Sequence, residues 1–145
     1  MSKRAIRILW AEDSISDILL IKDAFEQAGL HHNLNVFDDG VEATNFLFRR
    51  GRYARAQLPE LIILDLNMPR KTGREVIEDI KADPALLQIP LVVLTSSSDD
   101  IDVLNGLDPK RCLYLVKPAT FQDLIELAKQ INNFWLSLAN PDQKP

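Results

Sequence analysis

Short apolar runs alternate with amphipathic stretches along this chain. The runs Ile6-Arg7-Ile8-Leu9-Trp10, Leu61-Ile62-Ile63-Leu64, Leu91-Val92-Val93-Leu94 and Leu113-Tyr114-Leu115-Val116 have strand length, and a weaker strand is predicted from Asn33 to Phe37. Leu61 to Leu64 is apolar at every position, the pattern of a strand covered by helices on both faces. Between the runs the period changes to that of a helix. Ser14-Ile15-Ser16-Asp17 reads as a capping box. Ile18, Ile21, Phe25 and Ala28 then share one helical face, and Gly29 supplies the stop. Further helices are predicted over Val41 to Phe48 and over Arg74 to Ala82, the second closed by Asp83-Pro84. A short polar helix is predicted around Asp99 to Asn105. The last helix starts at a second capping pattern, Thr120-Phe121-Gln122-Asp123, and runs to Leu138. Loops take Arg49 to Glu60 and Met68 to Gly73. The order βαβαβαβαβα implies an α/β fold, a doubly wound parallel sheet with helices on both faces. The pattern alone leaves the strand order open.

The length of 145 residues suits one domain with one core. Residues 1–139 are assigned to it, and 140–145 read as a polar, disordered tail. No apolar run could span a bilayer. Met1-Ser2-Lys3-Arg4-Ala5 passes into the first strand without a secretory pattern, so a cytoplasmic location is expected. Cys112 is the single cysteine, which excludes an intramolecular disulfide and a cysteine zinc cluster. A net charge of −4 argues against general nucleic-acid binding. The basic stretch Arg49-Arg50-Gly51-Arg52-Tyr53-Ala54-Arg55 reads as a solvated loop, with a docking patch for an acidic partner as the sharper alternative. His31 and His32 read as solvated, and Cys112 as a small buried hydrophobe.

The strand ends carry the chemistry. The first run leads to Glu12 and Asp13, the next strong run to Asp65, the next to Thr95 and the last to Lys117. As parallel strands they bring three carboxylates, a hydroxyl and an ammonium to one edge, and ligands bind at that edge of open α/β sheets. Ala11-Glu12-Asp13-Ser14 stands where a nucleotide-binding fold needs a glycine-rich turn. Carboxylates there repel phosphate unless a cation intervenes. Oxygen ligands without His or Cys suit Mg²⁺. Asp65 can act as a nucleophile toward phosphorus and form an acyl phosphate. Such a transfer needs alignment and neutralisation of the phosphoryl oxygens, for which Mg²⁺, Lys117 and Thr95 are available. Singly, each residue has a plainer reading: helix N-terminal acids, a turn former, a strand-end hydroxyl, a surface lysine. Together, at the ends of four strands, the plain readings are weak.

Trp10-Ala11-Glu12-Asp13-Ser14, Leu64-Asp65-Leu66-Asn67-Met68-Pro69, Leu94-Thr95-Ser96 and Tyr114-Leu115-Val116-Lys117-Pro118 resemble the signatures of bacterial response-regulator receiver domains. The resemblance covers nearly the whole chain. It implies a flavodoxin-like five-stranded sheet of order 2-1-3-4-5. It implies that Asp65 accepts a phosphoryl group from the phosphohistidine of a sensor histidine kinase. Mg²⁺ would be held by Asp13 and Asp65, by Glu12 partly through water, and by the Asn67 carbonyl. Lys117 would pair with the phosphate, with a cis peptide to Pro118. Thr95 would move toward the phosphate and Tyr114 would change rotamer with it, a switch set by a local charge change. The chain would catalyse only its own phosphoryl transfer and slow dephosphorylation. Phe46-Leu47 to Gly51-Arg52-Tyr53, Leu66 to Val76 and Asn133-Phe134-Trp135-Leu136 look like the stand-alone regulators paired with cyanobacterial phytochromes, so the implied kinase is a light sensor. Two departures stand out. Trp10 replaces a small aliphatic residue, and the fourth helix is short, ending in Gly106-Leu107-Asp108-Pro109.

With no DNA-binding domain following, output is expected through contacts with a downstream protein that the sequence does not name. The last helix has an apolar arc of roughly 200° at 100° per residue. Phe121, Leu124, Ile125, Ala128 and Trp135 can cover the sheet. Leu127, Ile131, Phe134 and Leu138 extend the arc and are assigned to a homodimer surface, against the plainer reading that the second helix or the tail covers them. A non-phosphorylated scaffold is the alternative function. An aspartate-nucleophile phosphatase of the haloacid dehalogenase type is a weaker one, because Asn67 stands where those enzymes carry a second acid.

Overall fold

The computed structural model describes residues 5–139; the polar tail predicted over 140–145 lies outside the described residues. Five strands form one parallel sheet: β1 (Ile6–Ala11), β2 (His32–Phe37), β3 (Leu61–Leu64), β4 (Leu91–Thr95) and β5 (Cys112–Val116), in the order β2-β1-β3-β4-β5. The α-helices are α1 (Ile15–Gln27), α2 (Gly40–Leu47), α3 (Gly73–Lys81) and α4 (Phe121–Ala139). This is the doubly wound α/β arrangement expected from the alternation.

Strand period two divides the core into two layers. Ile6, Ile8 and Trp10 of β1, with Leu61 and Ile63 of β3 and Val92 and Leu94 of β4, face α1 and α4. Leu9 and Ala11, Ile62 and Leu64, Leu91 and Val93 face α2 and α3. The central strands β3 and β4 are buried throughout, whereas the edge strands β2 and β5 are partly exposed. Trp10 is accommodated, not expelled. It is fully buried, and its ring lies 6.2 Å from that of Phe25 on α1.

Five expectations are corrected. The predicted polar helix around Asp99 to Asn105 is a single 3₁₀ turn, Ile101–Leu104. The segment is short, and Asn105 leaves it with an extended backbone. Leu127 and Ile131, assigned to a dimer surface, are buried with Leu124 and Ala128 in the layer shared with α1. The wide apolar arc of α4 meets two partners, the sheet and α1, so α1 covers what neither the second helix nor a second copy was needed to cover. Phe121, expected to cover the sheet, is exposed, and Cys112 is only half-buried, its thiol donating to the Asp108 carbonyl. The Lys117–Pro118 peptide, implied to be cis, is trans, as are all described peptides. The two isomers of an X–Pro bond differ by only about 0.5–1 kcal/mol, so local contacts decide. In the trans form the Lys117 N–H donates to the Thr95 carbonyl (2.8 Å) and its side chain reaches the strand-end carboxylates.

Candidate functional site

All four strand ends converge. The Asp65 N–H donates to the Ala11 carbonyl (2.9 Å) and the Glu12 N–H to the Phe37 carbonyl (2.9 Å), so the ladder carries the backbone of both acids to the edge of the sheet. Glu12 is fully buried, Asp65 is 5% exposed, Thr95 is buried and Asp13 faces solvent. One carboxylate oxygen from each of Glu12, Asp13 and Asp65 lies within 4.8 Å of the others. Asn67 is exposed, and its N–H donates to Asp65 Oδ1 (3.1 Å).

Lys117 closes the cluster from β5. Its Nζ lies 2.7 Å from Glu12 Oε1, 2.8 Å from Asp17 Oδ2 and 3.1 Å from Asp65 Oδ2. The Asp17 and Asp65 contacts are well-directed hydrogen bonds. Glu12 Oε1 gains the charge without a directed hydrogen bond, while Glu12 Oε2 accepts from the Ser14 N–H (3.1 Å). Burial and the neighbouring Asp65 charge raise the Glu12 carboxyl to about 7, against the opposing pull of Lys117. Burial of Lys117 works against its charge, but Asp17, Glu12 and Asp65 outweigh it and hold the ammonium well above its ordinary range. The ammonium is therefore a fixed positive charge beside Asp65.

The far side of the site is tied to the segment after β4. Ser97 N–H reaches the Thr95 hydroxyl at 3.5 Å, a weak contact that leaves the hydroxyl free to turn. The Tyr114 hydroxyl donates to the Ser97 carbonyl (2.5 Å) and accepts from the Asp100 N–H (3.2 Å). Arg74 of α3 grips the same segment through Asp100 (2.7 Å) and Asp102 (3.3 Å). Glu12, Asp13, Asp65, Thr95 and Lys117 thus gather as the strand pattern predicts, with Tyr114 one layer outward.

Asp17 and Gly73 were missed as parts of this site. Asp17 looked like a capping acid. Gly73 looked like the end of a loop, but it opens α3 against the backbone of Asp65: a Cβ there would collide with the Asp65 carbonyl and lie 2.8 Å from Leu66 Cα. The Thr72-x-x-Glu75 pattern was the available signal, since α3 starts with a complete capping box at those residues.

Comparison with known proteins places the chain in a family. The family model for the response regulator receiver domain matches residues 8–129. The chain belongs to that family. It is 40% identical over 129 residues to the response regulator Rcp1 of Synechocystis sp., spanning 89% of this chain and 88% of that one. The structure of the phosphorylated cyanobacterial phytochrome response regulator RcpA superposes with a TM-score of 0.79 at 38% identity, covering 92% of this chain and 96% of that one. The Mn²⁺-bound form of Rcp1 superposes with a TM-score of 0.77 at 38% identity, covering 90% and 94%. This receiver therefore has the family's fold, and its acidic cluster has the composition of a divalent-metal site. No helix among the described residues is long and apolar enough to cross a membrane.

Proposed function

We propose that this receiver is a cytoplasmic phosphorylation switch, one domain over residues 1–139, in which Asp65 takes a phosphoryl group from a sensor histidine kinase of phytochrome type. The observation that carries the reading is Lys117 Nζ lying 3.1 Å from Asp65 Oδ2 at the mouth of a buried acidic cluster. A carboxylate oxygen of Asp65 attacks phosphorus, the P–N bond of the phosphohistidine breaks, and its electron pair stays on the imidazole. Lys117 neutralises one phosphoryl oxygen. The donor set of Glu12, Asp13 and Asp65, with a buried Glu12 oxygen lacking a directed hydrogen bond, fits a hard divalent cation. Mg²⁺ held there, with the Asn67 carbonyl, supplies charge neutralisation when bound.

The kinase reading is supported by the likeness to RcpA and Rcp1. The kinase would approach across the exposed apolar side chains Ile15, Leu19 and Leu20 of α1 and Phe121, of which Leu20 and Phe121 line the cavity beside Lys117 and Asp17. Once Asp65 carries the phosphoryl group, Thr95 turns toward it and releases the segment that Tyr114 holds. Output would pass by protein contact to a downstream protein or a second copy. For a homodimer, α4 offers exposed Leu136 with half-buried Phe134 and Leu138.

The test is intact-mass measurement after incubation with Mg²⁺ and acetyl phosphate. The protein should gain one phosphoryl mass, and Asp65→Asn should abolish the gain. No gain in the native protein overturns the reading. Transfer from a purified phytochrome kinase that responds to red light tests the pairing. Light scattering of Phe134→Asp tests the dimer, where unchanged dimer mass rejects that surface.

A further inference from the structure

We propose that Asp17 is a positioning residue that competes with the phosphoryl group for Lys117 and so sets how readily Asp65 is phosphorylated. The proposal rests on the reading of Asp65 as the phosphoryl acceptor. Asp17 occupies the third position of α1, where the side chain of a capping box would fold back onto the Ser14 N–H. Only half of that box forms: Ser14 Oγ accepts from the Asp17 N–H (3.3 Å), while the Ser14 N–H goes to Glu12 instead. The Asp17 carboxylate turns away from the cap and binds Lys117 Nζ at 2.8 Å, closer than Asp65 does.

The position of Asp17 distinguishes it from the other two acids on Lys117. Glu12 and Asp65 belong to the cluster that can share a cation, and Asp17 does not. A cation held by that cluster would neutralise the charge of Glu12 and Asp65, and Asp17 would be the carboxylate left to the ammonium. Its side chain is 35% exposed against 8% for Asp65. A cavity of about 200 Å³ lined by Asp17, Lys117, Pro118 and Phe121 opens beside it. The ammonium thus has an outer resting place next to the reacting centre. Three carboxylates lie close to the Lys117 ammonium, and two of them, Asp17 and Asp65, take directed hydrogen bonds from it. A phosphoryl oxygen on Asp65 draws the ammonium inward, in competition with Asp17, the directed partner that takes no part in the reacting centre. Because the exchange occurs as the anionic donor binds, it acts on the bound and reacting complexes alike and appears in kcat/KM.

The experiment compares the native protein with Asp17→Asn, Asp17→Glu and, as a control for general charge, Asp123→Asn. Two quantities are read with Mg²⁺ present: kcat/KM for acetyl phosphate by intact mass, and the affinity for beryllofluoride, a phosphoryl mimic. Thermal melting confirms folding of each variant. Asp17→Asn should raise both by about two- to fivefold, the range for loss of one partly exposed neighbouring charge. Asp17→Glu should return both toward native values, and Asp123→Asn should change neither. The proposal is overturned if Asp17→Asn gives no gain or a loss. It is overturned equally if Asp17→Glu gains as much as Asp17→Asn, or if Asp123→Asn gains as much. A native protein that never acquires a phosphoryl group on Asp65 defeats the parent reading and this one together. A native protein that does, beside an unresponsive Asp17→Asn, defeats this one alone.

Discussion

Two helices begin on either side of Asp65, and both begin with the same local signature, a hydroxyl residue followed three positions later by an acid. At α3 the signature closes on itself: Thr72 Oγ1 accepts from the Glu75 N–H (3.2 Å) and Glu75 Oε1 accepts from the Thr72 N–H (3.0 Å). At α1 it opens. Ser14 caps the helix, but Asp17 leaves for a lysine 100 residues away in sequence, and Glu12 takes over the Ser14 N–H. One motif stabilises a helix end whose backbone supports Asp65, and the other lends its acid to the charge pattern around Asp65. A capping box read from sequence is therefore a statement about available groups. Where the acid goes depends on whether a stronger partner lies within reach. The Lys117 ammonium is such a partner, because there both groups carry charge, whereas at the cap only the carboxylate does.

The strongest way to break the comparison is Gly73→Ala. The new methyl group would meet the Asp65 carbonyl and the Leu66 backbone, which cannot rotate away as a side chain could. Overpacking of this kind costs about 1–3 kcal/mol, and here the displacement falls on the phosphoryl acceptor. We expect a lower melting temperature together with a drop in acetyl phosphate reactivity. A variant that melts early but reacts normally would show that α3 supports the fold and not the placement of Asp65.

Most of this is legible from the chain because strands buried on both faces leave no freedom. Leu61 to Leu64 and Leu91 to Leu94 can only be central, and that logic carries Asp65 and Thr95 to the edge of the sheet. Glu12 and Lys117 follow from the alternation of the chain, which makes their strands parallel to the central ones. What failed was the partner of a surface. Periodicity reports the width of the apolar arc of α4 and not what lies opposite, and α1 takes Leu127 and Ile131 into the core. Asp17 failed for a related reason. Its nearest explanation was local, and the contact that decides its role crosses from α1 to β5. The 3₁₀ turn at Ile101–Leu104 shows the limit for short polar segments, where no apolar stripe forces a full helix.

A second way to sharpen the comparison is pH. The α1 side of the site depends on Glu12, whose carboxyl is raised from 4.5 to about 7 by burial first and then by Asp65. At Glu12 the folded protein therefore binds more of a proton than the unfolded chain between those values, and the contribution of this group to stability falls as pH rises from about 4.5 to about 7. Below that window both states are protonated and the contribution vanishes; above it the loss is complete. Lys117 remains charged in both states throughout the window and adds no slope. Melting temperatures in a chelating buffer should show this decline. Glu12→Gln should flatten it, and added Mg²⁺ should oppose it. The α3 capping box should make no comparable contribution, so a slope that survives in Glu12→Gln would assign the effect elsewhere.

The smallest effects come from the caps themselves. Thr72→Ala removes the hydroxyl of a complete box and should destabilise the protein by about 1 kcal/mol, within the usual range for lost N-caps. Ser14→Ala removes a longer hydrogen bond of 3.3 Å and leaves the Ser14 backbone contact to Glu12 in place, so its cost should lie at the low end of that range, about 0.5 kcal/mol. Neither variant touches Lys117 or Asp65, and both should keep the native rate with acetyl phosphate. Asp17→Asn should invert that pattern, with little change in melting and a clear change in rate. If Ser14→Ala alters the rate as much as Asp17→Asn does, the cap fixes the direction of the Asp17 side chain, and the two halves of the open box act as one unit. If Ser14→Ala changes melting alone, the helix start and the lysine contact are separable, and α1 has divided between two residues what α3 keeps in a single closed pair.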